Sequence, residues 1–139
     1  MLCWPVLERL NIEIITNEKS LIKMENGVYD KSFAFAIRII KLNKYLTQSH
    51  KEYVMSKQMI RSGTAVGALI REAKHGESKA DFTHKMSIAL KEANETVYWL
   101  ELLNATDYIN KDEFTSIHED AIELVKMLAS IVKSSKTNK

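Results

Sequence analysis

At 139 residues with one proline and four glycines, the chain has the length of a single domain and few backbone breaks, which excludes a multi-domain architecture and argues against many short strands. Its one cysteine, Cys3, excludes an internal disulfide framework and fits a reducing, cytoplasmic compartment. The net charge is only +2, and no apolar run approaches the roughly 20 residues that span a bilayer, so no membrane association is expected.

Residues 1–29 form an N-terminal extension of undecided order. Pro5 suits the first turn of a short helix carrying Val6, Leu7, Leu10 and Ile14, and Asn26-Gly27 reads as a turn. Glu8, Arg9 and Glu13 interrupt the apolar positions, which does not fit a signal peptide. Two readings stand side by side: a docking arm, or an upstream extension with Met24 as the natural start.

The pattern over 30–134 predicts an all-α, up-down-up-down antiparallel four-helix bundle, followed by a polar tail at 135–139. Helix one is expected over 31–47 with Phe33, Ala36, Ile37, Ile40 and Leu46 facing inward, and Thr47–Lys51 as a turn. Helix two, over 52–75, alternates Ile60, Val66, Leu69 and Ile70 with Gly63, Ala65, Gly67 and Ala68. Each glycine costs a helix interior about 1 kcal/mol relative to alanine, so the Gly63–Gly67 pair makes sense where another helix comes close. Gly76 suits a helix stop, and Ser78 with Asp81 suits the cap of helix three over 79–105. There Phe82, Met86, Ala89, Ala93, Thr96, Val97, Leu100 and Leu103 form one apolar stripe. After a turn at Thr106–Asn110, Asn110 and Glu113 suit the cap of helix four over 111–133, which carries Phe114, Ile117, Ala121, Leu124, Leu128 and Ile131 inward.

The small net charge hides a division. Residues 31–74 hold nine Lys or Arg against two acids, and residues 75–123 hold four lysines against eleven acids. Three readings follow: a basic hairpin that tracks phosphates, complementary halves that steer head-to-tail assembly into a ring, or an unevenly solvated surface. On the first reading the nucleic-acid contacts are Arg38, Lys41 and Lys44 of helix one with Lys57 and Arg61 of helix two. On the second, helix three is apolar over an arc too wide for one small bundle. Glu92, Glu95, Trp99 and Leu102, beside its main stripe, are the candidate oligomer interface, with Trp99 alternatively closing the core.

Catalytic patterns are scarce. Glu72-x-x-His75 imitates half of a carboxylate-bridged di-iron motif and Asp81-x-x-His84 lies across the turn, but Glu92 is roughly 16 Å of helix beyond Asp81, so the ligands do not share a level. No phosphate loop, dinucleotide fingerprint or nucleophile elbow is present, and Cys3 has no histidine near it in sequence. No catalytic residue, metal, cofactor or small-molecule substrate is expected.

The order of R-S-G-T-A-V-G-A in helix two, S-K-A-D-F at the entry to helix three and I-A-L-K-E-A-x-E-T-x-Y-W-L-E-L-L resembles the bacterial four-helix-bundle proteins of the 23S rRNA intervening-sequence family over Tyr29–Val132. Arg61, Ser62, Glu72, Ser78, Asp81, Phe82, Ala89, Glu92, Glu95, Tyr98 and Leu100 fall on that family's pattern, whereas Leu69 stands in place of a common asparagine and Arg71 in place of a small or acidic residue. The family is similar in fold to the accessory proteins of diversity-generating retroelements, which form five-fold barrels and bind nucleic acid. The resemblance therefore implies a homo-oligomer, specifically a pentamer, with RNA or DNA as a partner and no enzymatic activity.

Overall fold

The computed structural model describes residues 6–137; Cys3 and Pro5 lie outside them. Four helices follow in order, α1 (Val6–Ser49), α2 (Met55–Lys74), α3 (Lys79–Ala105) and α4 (Lys111–Thr137), and no strand occurs among the described residues. The helices pack α1 on α2, α2 on α3, α3 on α4 and α4 back on α1, so the bundle is antiparallel with up-down-up-down connectivity. None of them is long and apolar enough to cross a membrane.

The starts of α2, α3 and α4 each have a visible cause. The Ser78 hydroxyl accepts from the Asp81 N–H at 3.1 Å to open α3, and Asn110 Oδ1 accepts from the Glu113 N–H at 2.8 Å to open α4. For α2 the cap is Glu52, which sequence reasoning had put inside the helix. Its buried carboxylate accepts from the N–H groups of Val54 and Met55 at 3.0 Å and of Ser56 at 2.7 Å, so regular helix begins at Met55 rather than at 52. Lys51 before it (φ 55°) and Asp107 in the α3–α4 turn (φ 65°) take the left-handed conformation that ends each preceding helix.

Helix α1 departs furthest from expectation. It runs unbroken through Asn26-Gly27, where a turn was expected, and Gly27 keeps an ordinary negative φ. Gly27 lies against α4, where an added Cβ would meet the Met127 methyl at 3.4 Å, so its small size serves packing rather than a turn. The inward face is Val28, Phe35, Ile39, Leu42 and Leu46, not Phe33, Ile37 and Ile40. The helix carries two apolar rows, and the one that reaches the core extends from Val28 to Leu46, with the buried Ser32 between Val28 and Phe35. The stripes expected for α3 and α4 do form the core, with Met86, Ala89, Leu100, Leu103, Leu124, Leu128 and Ile131 essentially inaccessible.

Between α1 and α2 the close approach centres on Gly63. A Cβ there would fall 2.9 Å from Ile39 Cγ2 and 3.4 Å from Ile39 Cβ, and Ile39 is a fully buried, β-branched side chain with little room to yield. Gly67, one turn on, would put a Cβ at an ordinary 3.5 Å from Ser32 Oγ. Gly63→Ala should therefore destabilise the fold by about 1–3 kcal/mol through overpacking. Gly67→Ala should leave stability unchanged or raise it by up to about 1 kcal/mol through helix propensity. Chemical denaturation of the two variants against the native chain checks both.

Glu52 gives a pH dependence. Burial opposes its ionisation, but the bonds from Met55, Ser56 and Val54 outweigh that and hold the carboxyl below its ordinary value of 4.5. A depressed folded-state pKa contributes stability that is present above the unfolded value and lost as pH falls through the folded one. Glu52→Ala should cost about 1–2 kcal/mol near neutral pH. The difference from wild type should shrink as pH drops below about 4 in thermal melts.

Candidate functional site

The five basic candidates do not form one surface. Arg38 turns toward α4, where Nη1 donates to Asp120 Oδ2 at 2.6 Å and Nη2 to Ser116 Oγ at 3.0 Å. Two turns earlier Lys31 pairs with Glu123 on the same seam. Arg61 turns the other way, to α3, with Nη1 3.3 Å from Glu92 Oε1 and Nη2 bound to Glu95. Lys41, Lys44 and Lys57 are exposed and enter no ion pair among the described residues. Much of the charge division is thus used inside the chain: the basic α1–α2 hairpin is tied to the acidic α3–α4 hairpin along both seams. These pairs are half-exposed, so each contributes at most about 1 kcal/mol and chiefly orients its helices.

Glu92, Glu95, Trp99 and Leu102 do come together on the outer side of α3. Trp99 Nε1 donates to Glu95 Oε2 at 3.0 Å, and its ring packs against the core while remaining half-buried. That bond, with Arg61 behind it and against the opposing effect of burial, holds the Glu95 carboxyl below its ordinary range. Leu102 is half-buried, while Tyr98 is 54% exposed and edge-on to Trp99, with ring centroids 5.0 Å apart. Glu101 Oε2 accepts from His118 Nε2 at 2.9 Å on the α4 side and is otherwise open. Beneath this surface the hydroxyls of Ser62 and Thr96, both buried, lie 2.9 Å apart and lock α2 to α3 at the same height.

The second apolar row of α1 makes a surface the sequence reading missed. Phe33, Ile37 and Ile40 are 58%, 41% and 39% exposed, and their i, i+4, i+7 spacing continues to Lys44. Beside the row, Tyr29, Ser32, Phe33 and Ala36 of α1 and Thr64, Gly67, Ala68 and Arg71 of α2 line a cleft of about 270 Å³. The Arg71 guanidinium stands 4.9 Å from the Tyr29 ring centre and 6.0 Å from that of Phe33, and the Lys74 ammonium 4.6 Å from Tyr29. The signal available in the sequence was the excess of apolar residues in Phe33–Leu42 over what one helix face can bury.

The polar turn between α2 and α3 does not gather ligands. Glu72 is bound to Lys85 at 2.9 Å, and His75 and His84 are exposed at its two ends. Among the described residues no group of three His, Cys, Asp or Glu is arranged to hold a metal ion.

The family model described as "23S rRNA-intervening sequence protein" matches residues 24–130. Among solved structures, a protein with unknown function from the S23 ribosomal protein family from Bacteroides thetaiotaomicron VPI-5482, solved at 1.70 Å, is 55% identical. The match covers 79% of this chain and 98% of that one, with a TM-score of 0.78. No curated protein matches the chain.

Proposed function

Given that the chain belongs to the 23S rRNA-intervening sequence protein family, we propose that it is a non-enzymatic association module that works by self-assembly. The observation that carries this reading is the row Phe33, Ile37 and Ile40, three large apolar side chains left in solvent on a bundle whose core is otherwise closed. Burying what remains exposed of each contributes about half of the ~1.5–3 kcal/mol that full burial gives, so a row of three with the adjoining cleft is a driving force for association. The small residues opposite, Thr64, Gly67 and Ala68, leave the row open to a partner instead of covering it. The assembly is a closed homo-oligomer, and five is the number implied by the resemblance to the retroelement accessory proteins.

Lys41, Lys44 and Lys57 favour a second reading, in which the assembled surface takes RNA or DNA. Three lysines per copy make few phosphate contacts, and Arg38 and Arg61 are already occupied. Binding on this reading depends on symmetry multiplying the contacts along one strand.

Light scattering of the native protein at micromolar concentration should give a mass several times that of the 16.0 kDa chain. Ile37→Asp should reduce it to the monomer with unchanged helical circular dichroism, since Ile37 lies outside the core. A native monomer would overturn the self-assembly reading. For nucleic acid, the native protein should shift RNA or duplex DNA at low salt and release it as salt rises. Replacing Lys41, Lys44 and Lys57 with glutamine should abolish that shift without changing the mass. No shift by the native protein removes the second reading.

A further inference from the structure

At the end of the bundle where α3 begins and α4 finishes, Lys79, Ala80, Thr83, His84 and Ser87 of α3 and Ser135 and Lys136 of α4 line a groove of about 690 Å³. That volume lies within the roughly 300–1,000 Å³ of small-molecule sites. The groove follows the α3–α4 seam, whereas the exposed apolar row is on α1, so nothing in it depends on self-assembly. Its floor is built by a hydrogen bond between the two helices. Thr83 Oγ1 gives its proton to the Lys79 carbonyl at 3.0 Å, so the nearly inaccessible Ser135 hydroxyl donates to Thr83. This bond holds the last turns of α4 against α3, in the stretch that the sequence alone presents as a polar tail.

The groove is cationic, and no carboxylate lines it. Neither Lys79 nor Lys136 enters an ion pair among the described residues. The acids nearest in sequence, Glu77 and Asp81, line a separate recess on the α2 side of α3. There Asp81 Oδ2 stands where a side chain on Gly76 would go, and Lys85 is bound to Glu72. On the α4 side, the chain beyond Glu123 holds Lys126, Lys133, Lys136 and Lys139 and no acid. The acidic character of the second hairpin therefore stops short of this end. The remaining polar groups are donors as well. The half-buried Ser87 hydroxyl and the exposed His84 ring bond to no other described residue.

We propose that this groove binds a dianionic phosphate, either free or as the monoester of a small molecule. A carboxylate brings one charge and fits the planar fork of an arginine, which the groove lacks. A phosphate monoester brings nearly two charges and three acceptor oxygens, which match two ammonium groups, a hydroxyl and an imidazole. Ala80 and the methylene stems of the two lysines give an organic body apolar surface to lie on. An internal phosphodiester of RNA carries a single charge and is the poorer fit.

Amide chemical shifts of the native protein, titrated at constant ionic strength with inorganic phosphate and with glycerol phosphate against chloride, test this. Saturable shifts confined to the first turns of α3 and the last turns of α4 are expected from both phosphates. Tighter binding of glycerol phosphate identifies an organic phosphate as the ligand, and equal binding identifies free phosphate. Lys79→Gln and Lys136→Gln change exposed positions, so both variants should keep native helicity. Each should weaken binding about three- to tenfold, and the double variant about tenfold or more. Lys126→Gln and Lys133→Gln, on α4 but outside the groove, should leave binding unchanged. Shifts no larger than those from chloride would overturn the proposal, as would an unchanged affinity in the double variant. An equal loss in Lys126→Gln or Lys133→Gln would overturn it too, by showing diffuse attraction to a basic helix end. RNA that displaces glycerol phosphate from the same amides at lower concentration would overturn it in favour of a nucleic-acid contact.

Discussion

Helix α1 carries two apolar rows, and a four-helix bundle has room for one. The row from Val28 through Phe35, Ile39 and Leu42 to Leu46 reaches the core because it is the longer and meets α2 at Gly63, where the helices come close enough for Ile39 to occupy the space of a missing side chain. That contact fixes the rotation of α1 about its own axis. Once it is fixed, Arg38 and Lys31 point to α4, Tyr29 and Ser32 lie along α2, and Phe33, Ile37 and Ile40 are left in solvent. Packing at one glycine thereby decides what the surface offers to other molecules. A rotation of α1 by one residue, about 100° of helix, would bury the second row and hide the surface.

Electrostatics act after packing. The opposite charges of the two hairpins suggest external partners when read as totals, but Arg38–Asp120, Lys31–Glu123, Arg61–Glu92 and Glu95, and Lys85–Glu72 bind one helix of the bundle to another. Such half-exposed pairs contribute little to stability, yet they oppose sliding of one hairpin on the other, because a shift of one turn separates several at once. What remains for partners is the residue of this internal matching: Lys41, Lys44, Lys51, Lys57, Arg71 and Lys74 on one side, Asp112, Glu113 and Glu119 of α4 on the other.

The parts of the fold legible in the sequence are those where one signal acts alone. In α3 and α4 the expected apolar stripes and side-chain caps were readable, although α4 runs on to Thr137, past the expected end at 133 and into the stretch expected as a polar tail, where Ser135 is buried. Where two signals competed, the local one misled. In α1 the three-and-four spacing of Phe33, Ile37 and Ile40 is as regular as that of the true core row, and only the partner helix distinguishes them. Asn26-Gly27 carries a turn signature, yet continuing the helix lets Val28 pack in the core and Gly27 accommodate Met127. Glu52 resembles a helix-interior residue by propensity, but its carboxylate caps three orphan N–H groups. Of the candidate sites, the grouping of Glu92, Glu95, Trp99 and Leu102 on one side of α3 follows from helix periodicity. The internal neutralisation of Arg38 and Arg61 does not, because it depends on which residues stand opposite across the seams.

The same comparison orders the two functional readings. Counterion release scales with the number of phosphates neutralised, and three lysines on one copy correspond to a salt dependence of roughly 0.9 per contact on duplex DNA. Such a surface is weak unless several copies act on one strand. An apolar row needs no multiplication: its burial is favourable for a single pair of copies. Self-assembly can therefore operate without nucleic acid, whereas useful nucleic-acid binding by this chain requires assembly first.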